Sequence, residues 1–347
     1  MERYSFNSEY SISRIIKGGW HLAGGHGNID PEKAIEDMHA FVQAGITTFD
    51  CADIYTGVEE LIGAFKKKHK AAFQSKELPS IQIHTKYVPD YDKLWKLKKE
   101  DTEAIIDRSL LRLGVERLDL VQFAWWTYEA PGYVETALHL KALQKAGKIR
   151  YIGLTNFDGK RVQEILDAGV SVLSNQLQYS VFDHRPEWDM EAIRKSHNIP
   201  YLCYGSLAGG FLSDRYLGAP DPKGPMENRS LTKYRLIIEE FGSYEYFQQT
   251  LKCLREIADK YEVDIAAVAG KYILQKEGVA ALIVGARNRN HLHKYEQFSG
   301  FELDRTDLAK IEKMVQASQG PKGPVYELER DKEGKHGRIM KYNLNEE

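Results

Sequence analysis

The chain has 347 residues, 42% hydrophobic and 28% charged, with a formal net charge of −2. This is the balance of a globular protein, and it excludes the charge excess that a nucleic-acid or anionic-membrane partner requires. The three cysteines, Cys51, Cys203 and Cys253, are far apart and odd in number. Neither a disulfide framework nor a metal site is therefore expected, and a reducing compartment, the cytoplasm, is.

In chain order, "MERYSFNSEY" lacks the apolar core of a signal peptide, and no window reaches the ~18 apolar residues of a membrane span. "SRIIKGGW" reads as a first strand. "PEKAIEDMHAFVQAG" follows as a helix, with Asp30 as N-cap, Pro31 at its first position and Gly45 as its stop. The alternation then continues. The strands are "TTFDCAD", "IQIHTKY", "LDLVQFAW", "IRYIGLTN", "SVLSNQLQY", "PYLCYGSLA" and "AALIVGA". Helical patterns lie between them, including "VEELIGAFKKK", whose cationic end "KKKHK" reads as a solvated face, and "EWDMEAIRKSH". Gly114, Gly147, Gly169 and Gly278 are expected to end four helices.

Eight near-continuously apolar strands separated by helices predict a parallel sheet covered on both sides. A single (β/α)8 TIM barrel over residues 1–319 satisfies that pattern. Two segments stand outside it. Residues 209–245, with Pro220, Pro222 and Pro225, read as a long loop after strand seven that closes over a ligand. Residues 320–347 read as a polar tail placed to cover the barrel mouth.

A barrel carries its chemistry at the C-terminal ends of its strands. Those ends hold Trp20, Asp50, Tyr55, Lys86, Ala124, Trp125, Thr155, Asn156, Gln176, "YGSLAGG" at 204–210 and "GARNR" at 285–289. A lysine beside a phenol favours the phenolate and should lower its pKa, and a carboxylate keeps that lysine charged. Asp50, Tyr55 and Lys86 fit these roles. Thr155, Asn156 and Gln176 could hold a carboxamide, and Arg287 and Arg289 a phosphate. "AGGHGNID" lacks the spacing of a Rossmann phosphate loop, so a dinucleotide would lie across the barrel mouth.

From about residue 12 to 315 the chain resembles the aldo-keto reductase superfamily. The resemblance rests on "TTFDCADIYTGVEELIGAF", "IHTKY", "RSLLRLGVERLDLVQ", "IGLTNF", "SNQLQYS", "YGSLAGGFL" and "IVGARNRNHL". It implies NADP(H), hydride transfer and a small-molecule carbonyl or alcohol substrate, with no metal. Asp50, Tyr55 and Lys86 would be the catalytic set. Thr155, Asn156 and Gln176 would hold the nicotinamide amide, with Trp20 and Asp50 alongside and Tyr204 stacked on the ring. Gly205, Ser206, Leu207, Gly209 and Gly210 would line the pyrophosphate with Arg215, and Gly285, Arg287 and His291 would serve the 2′-phosphoribose. Trp20, Tyr55, Trp125 and Trp126 would wall the substrate pocket, with Tyr128 beside them.

The chain departs from the family pattern at His291, Lys294 and Tyr295, where Gln or Arg, Glu and Asn are usual. It departs most at Ala124, where the family carries its catalytic histidine. A natural variant with a reshaped pocket and an engineered His→Ala change both remain open. So do three activities: slow or specialised carbonyl reduction, a non-catalytic NADP(H)-binding regulatory subunit, and double-bond reduction. Oligomeric state is not legible.

Overall fold

A computed structural model describes residues 1–25, 27–222 and 224–345. Eight parallel strands close into a barrel: β3 (Ile15–Gly18), β4 (Thr48–Asp50), β5 (Gln82–Tyr87), β6 (Leu118–Ala124), β7 (Ile149–Thr155), β8 (Asn175–Gln178), β9 (Tyr201–Tyr204) and β10 (Val279–Gly285). They are ordered β3 to β10 around the ring, and β10 pairs back onto β3. This is the expected TIM barrel. An antiparallel hairpin of β1 (Arg3–Asn7) and β2 (Tyr10–Ser13) precedes it and was not foreseen. Its turn signal, "NSE", is short and lies in the segment read only for a leader. Tyr10 of this hairpin plugs the barrel floor, where its hydroxyl meets His84 Nε2 at 3.0 Å.

The two-residue period of the strands divides the core. Ile16, Leu120, Leu202 and Ala281 cluster with Tyr10 and Ile12, while Val121, Phe123 and Leu154 join the large cluster shared with the helices. On β6 this row assignment sends Leu120, Gln122 and Ala124 inward and Val121 and Phe123 outward, and Trp125, just past the strand, packs outward with Phe123.

The predicted caps act as expected at the first helix, Pro31–Gln43. Asp30 accepts from the Glu32 and Lys33 amides, and Gly45 takes φ +83°. Three sequence expectations need correction. The helix Ile265–Leu274 ends before Gly278, which instead turns the chain into β10. "EWDMEAIRKSH" breaks into helices Arg185–Asp189 and Glu191–His197 at Met190. The stretch 209–245 is not all loop: it contains the helix Arg229–Phe241, whose apolar positions Ile237, Ile238 and Phe241 are buried. Its prolines all precede Asn228, the N-cap, so they end before the helix begins. Among the described residues no helix is long and apolar enough to cross a membrane, and no cluster of His, Cys, Asp or Glu is disposed to hold a metal ion.

Candidate active site

A cavity of about 800 Å³ opens at the C-terminal ends of the strands. The catalytic, cofactor and substrate residues that the resemblance implies border it, from Trp20 to His291, but Arg289, expected at a phosphate, does not and instead faces Asp37 at 3.5 Å.

Its floor is a polar ring contributed by four strands. Lys86 Nζ donates to Asp50 Oδ2 at 2.7 Å and to the Cys51 carbonyl at 2.9 Å. Gln122 and Gln176 each donate to Asp50 Oδ1, at 3.1 and 2.7 Å, and Gln176 also donates to Gln122 Oε1. All four side chains are buried. A buried carboxylate needs this many partners, because removing one member of a buried pair typically costs about 3–5 kcal/mol. Gln122 was missed by the sequence reading, although a lone amide in the apolar run "DLVQFA" is itself a signal of an inward polar contact.

The third Lys86 proton is left for Tyr55, whose ring centre lies 4.7 Å from Nζ. Tyr55 sits in the turn between β4 and the helix Val58–Lys68. Gly57, at φ +76°, makes the backbone conformation that lets the helix start there. Burial drives the Tyr55 phenol above its ordinary pKa, and the downward pull of Lys86 does not overcome it. The expected lowering is therefore reversed: desolvation of the phenolate outweighs the neighbouring charge. For Lys86 the balance goes the other way. Burial works against its charge, but Asp50 and Tyr55 together hold its pKa above the ordinary value.

At the ends of β7 and β9, Tyr204 donates to Asn156 Oδ1 at 2.8 Å, and Asn156 is held at φ +61°. Non-glycine residues in that region are uncommon and concentrate at functional sites. Among the described residues, these bonds leave the Asn156 Nδ2 protons and Gln176 Oε1 uncommitted. A donor and an acceptor set side by side match the two halves of a carboxamide. Beyond them, the Ser206 hydroxyl is buried, borders the cavity and has no hydrogen-bond partner among the described residues. Gly205 and Gly209 have positive φ, and a Cβ at either would come within 2.7 Å of the Tyr234 ring. The 205–210 backbone can thus lie flat along the cavity only with glycine at these places.

Ala124 ends β6 on the inward row, paired with Thr155, and its side chain is half-buried on the cavity wall. Trp125 borders the cavity but points to the outer row. Its ring packs on Phe123 and Tyr133, and its indole N–H donates to the Ala130 carbonyl. Trp126 is half-buried and anchored by the Pro89 carbonyl. Tyr128, also expected near the pocket, does not border it: the Arg330 guanidinium covers its ring at 4.2 Å.

A model of the Aldo/keto reductase family matches residues 14–316. The chain belongs to this family. It is 26% identical over 321 residues to the aldo-keto reductase YhdN of Bacillus subtilis, covering 90% of this chain and 93% of that one. It is 23% identical to the NADH-specific methylglyoxal reductase of Escherichia coli, covering 89% and 97%. The solved glycerol dehydrogenase of Gluconobacter oxydans superposes with a TM-score of 0.74 at 22% identity, covering 93% and 98%.

Beyond the family match, residues 320–345 supply part of this aldo/keto reductase's cavity wall: Tyr326, Ile339, Met340, Lys341 and Leu344 border it. Arg330 ties this segment to the strand ends, donating to the carbonyls of Asn156 at 2.7 Å and Trp125 at 3.3 Å and to the Tyr128 hydroxyl. The Leu344 and Asn345 amides both donate to Asp90. Lys233 and Tyr234, from the helix Arg229–Phe241, complete the wall near Tyr204, with Lys233 Nζ 4.9 Å from the Tyr204 ring centre. None of these residues stands at a strand end, so the barrel rule could not find them.

Proposed function

We propose that the chain is an NADP(H)-dependent oxidoreductase that interconverts a carbonyl compound and an alcohol, with Tyr55 as the proton donor to the carbonyl oxygen. The observation that carries this reading is the Tyr55–Lys86–Asp50 set, which borders the same cavity as the uncommitted Asn156 amide protons and Gln176 Oε1. The nicotinamide, when bound, supplies the hydride. Asn156 and Gln176 would hold its carboxamide, Tyr204 would stack beneath its ring, and Ser206 with the 205–210 backbone would serve the pyrophosphate. Trp20 packs 5.1 Å from Tyr55, ring centre to ring centre, and with Trp126 it would confine the substrate. Tyr55 would hold its proton until the carbonyl oxygen arrives, while Lys86 stabilises the phenolate left behind. The tail 320–345 would exclude water from this chemistry.

The choice of NADP(H) over NAD(H) rests on the residues after β10. Arg287, His291 and Lys294 border the cavity there, and no carboxylate of the described residues in this segment does. Arg287 is anchored by the Asn28 carbonyl at 3.0 Å, and Lys294 by Asp264 at 3.0 Å. A 2′-phosphate meets cations here, whereas an unphosphorylated ribose lacks the acid that would recognise its hydroxyl. A charge-assisted hydrogen bond contributes about 1.5–3 kcal/mol. Arg287→Ala should therefore weaken NADPH binding at least roughly tenfold and leave NADH binding nearly unchanged. Fluorescence titration with both cofactors checks this, and equal losses for the two would count against a 2′-phosphate site.

Ala124 removes the group that would help orient the carbonyl. Ala124→His should raise kcat for aldehydes by about 10- to 100-fold, within the usual range for an added acid–base or orienting group. Ala124 also favours a second reading, a subunit that binds NADP(H) without turnover. Quenching of tryptophan fluorescence by NADPH, followed by a carbonyl panel with the parent and Ala124→His proteins, separates the two. Binding with no turnover in either protein supports the regulatory reading, and no binding at tens of micromolar NADPH removes both.

A further inference from the structure

We infer that the carbonyl substrate carries an anionic group, a carboxylate or its equivalent, and that Arg229 binds it. This inference rests on the proposed reductase reading and names the substrate class for the same cavity.

Arg229 is the first residue of the helix Arg229–Phe241 and borders the cavity. Its guanidinium lies 5.8 Å from the Trp20 ring centre, and the Trp20 ring lies against Tyr55. One indole therefore separates the cation from the expected proton donor. Among the described residues its one side-chain hydrogen bond is a long one, Nη1 to the Ile339 carbonyl at 3.5 Å. Among the described residues no carboxylate lies within ion-pairing distance of it. Most of the five N–H donors of a guanidinium are thus unused, on a side chain already half-buried. Burial is also what lowers its pKa, with no acid offsetting the cost.

The neighbouring charges differ: Arg215 and Lys341 also border the cavity without a carboxylate partner among the described residues, but both are exposed, whereas Arg229 is half-buried. The carboxylates that border the cavity are already matched, Asp50 with Lys86 and Asp214 with Arg255. Lys233 faces Glu329 at 3.7 Å. Arg287 and Lys294 belong to the segment assigned to the 2′-phosphate. Among the described residues, Arg229 is left as a half-buried cation on the Trp20 side with no acidic partner, and guanidinium groups pair best with planar, bidentate anions. The spacing suits an anion placed across a benzene ring, or a chain of similar length, from the carbonyl carbon. The Trp20 face between the two ends suits an apolar spacer.

The test compares 4-carboxybenzaldehyde with its methyl ester, and benzoate with benzamide. With NADPH present, the parent protein should turn over the acid at a KM about 10- to 100-fold below that of the ester. Arg229→Gln should erase that difference by raising KM for the acid alone, and Arg229→Lys should restore part of it. The NADPH dissociation constant should stay within about twofold. If the protein proves to have no turnover, the reductase reading fails by itself. Benzoate binding to the NADPH-loaded protein, read from tryptophan fluorescence, still decides the anion site. Preference for benzoate over benzamide that is lost in Arg229→Gln supports the site. Equal binding of the two, or a loss of NADPH affinity as large as the loss of acid affinity, overturns it.

Discussion

Tyr55→Phe is expected to lower kcat for carbonyl reduction by about 10²–10⁴-fold, the usual contribution of a positioned general acid. It should leave the NADPH dissociation constant almost unchanged. The change removes one hydroxyl and keeps the ring that packs on Trp20 and lies beside Lys86. The Lys86–Asp50 pair and its two glutamine partners do not depend on that hydroxyl, so the polar floor should survive. The pH dependence follows from the direction of the Tyr55 shift. Because its folded pKa lies above the ordinary 10.0, the phenol stays protonated throughout the neutral range. Reduction by the parent protein should therefore hold level across neutrality and fall only at strongly alkaline pH. Alcohol oxidation, which needs the phenolate, should rise with pH. Steady-state rates in both directions check this, and a Tyr55→Phe protein with unaltered kcat would remove Tyr55 from the chemistry.

Arg185→Met should destabilise the fold by about 3–5 kcal/mol, as expected when one member of a buried ionic network is removed. Arg185 makes a forked contact with Asp183, Nε to Oδ1 at 2.9 Å and Nη2 to Oδ2 at 2.7 Å, and reaches Glu329 at 3.1 Å. All three side chains are almost wholly buried. Without the guanidinium, two buried carboxylates lose their charged partner: Asp183 keeps Gln178 and the residue-185 backbone amide, and Glu329 keeps Lys233 at 3.7 Å. Glu329 belongs to the C-terminal segment, so the same change should loosen the cavity wall that carries Tyr326 and Arg330. Burial would raise the Glu329 pKa, but Arg185 and Lys233 override it and hold it down at about 2. The network's contribution is therefore complete above the ordinary carboxylate pKa of 4.5 and is lost as pH falls toward 2. Urea denaturation at neutral pH measures the change. A loss under about 1 kcal/mol would mean that the network is replaceable.

Much of the architecture was written locally. Eight apolar runs, the Asp30–Pro31 start and the Gly114, Gly147 and Gly169 stops are short-range features, so period and capping chemistry exposed the barrel. Asp50, Tyr55, Lys86 and the 204–210 glycines were legible for a related reason. In a barrel, a position at a strand's end already specifies which cavity it borders. Ala124 stood out because the family that the sequence resembles carries a histidine there, and the structure places it on the inward row at the end of β6.

What only the tertiary structure decided lies between segments far apart in sequence. Whether Lys86 lowers the Tyr55 phenol depends on how deeply both are buried, and desolvation reversed the expectation. Which of two adjacent tryptophans packs into the outer layer depends on its tertiary neighbours, and Phe123, Tyr133 and the Ala130 carbonyl hold Trp125 outward. Arg330, Glu329 and Arg229 carry no periodic signal in their own segments. Their roles come from partners 174, 144 and 209 positions away, Asn156, Arg185 and Trp20. Secondary-structure propensity acts over a few residues. Burial and charge pairing act through space, and they become visible only once the chain has closed on itself.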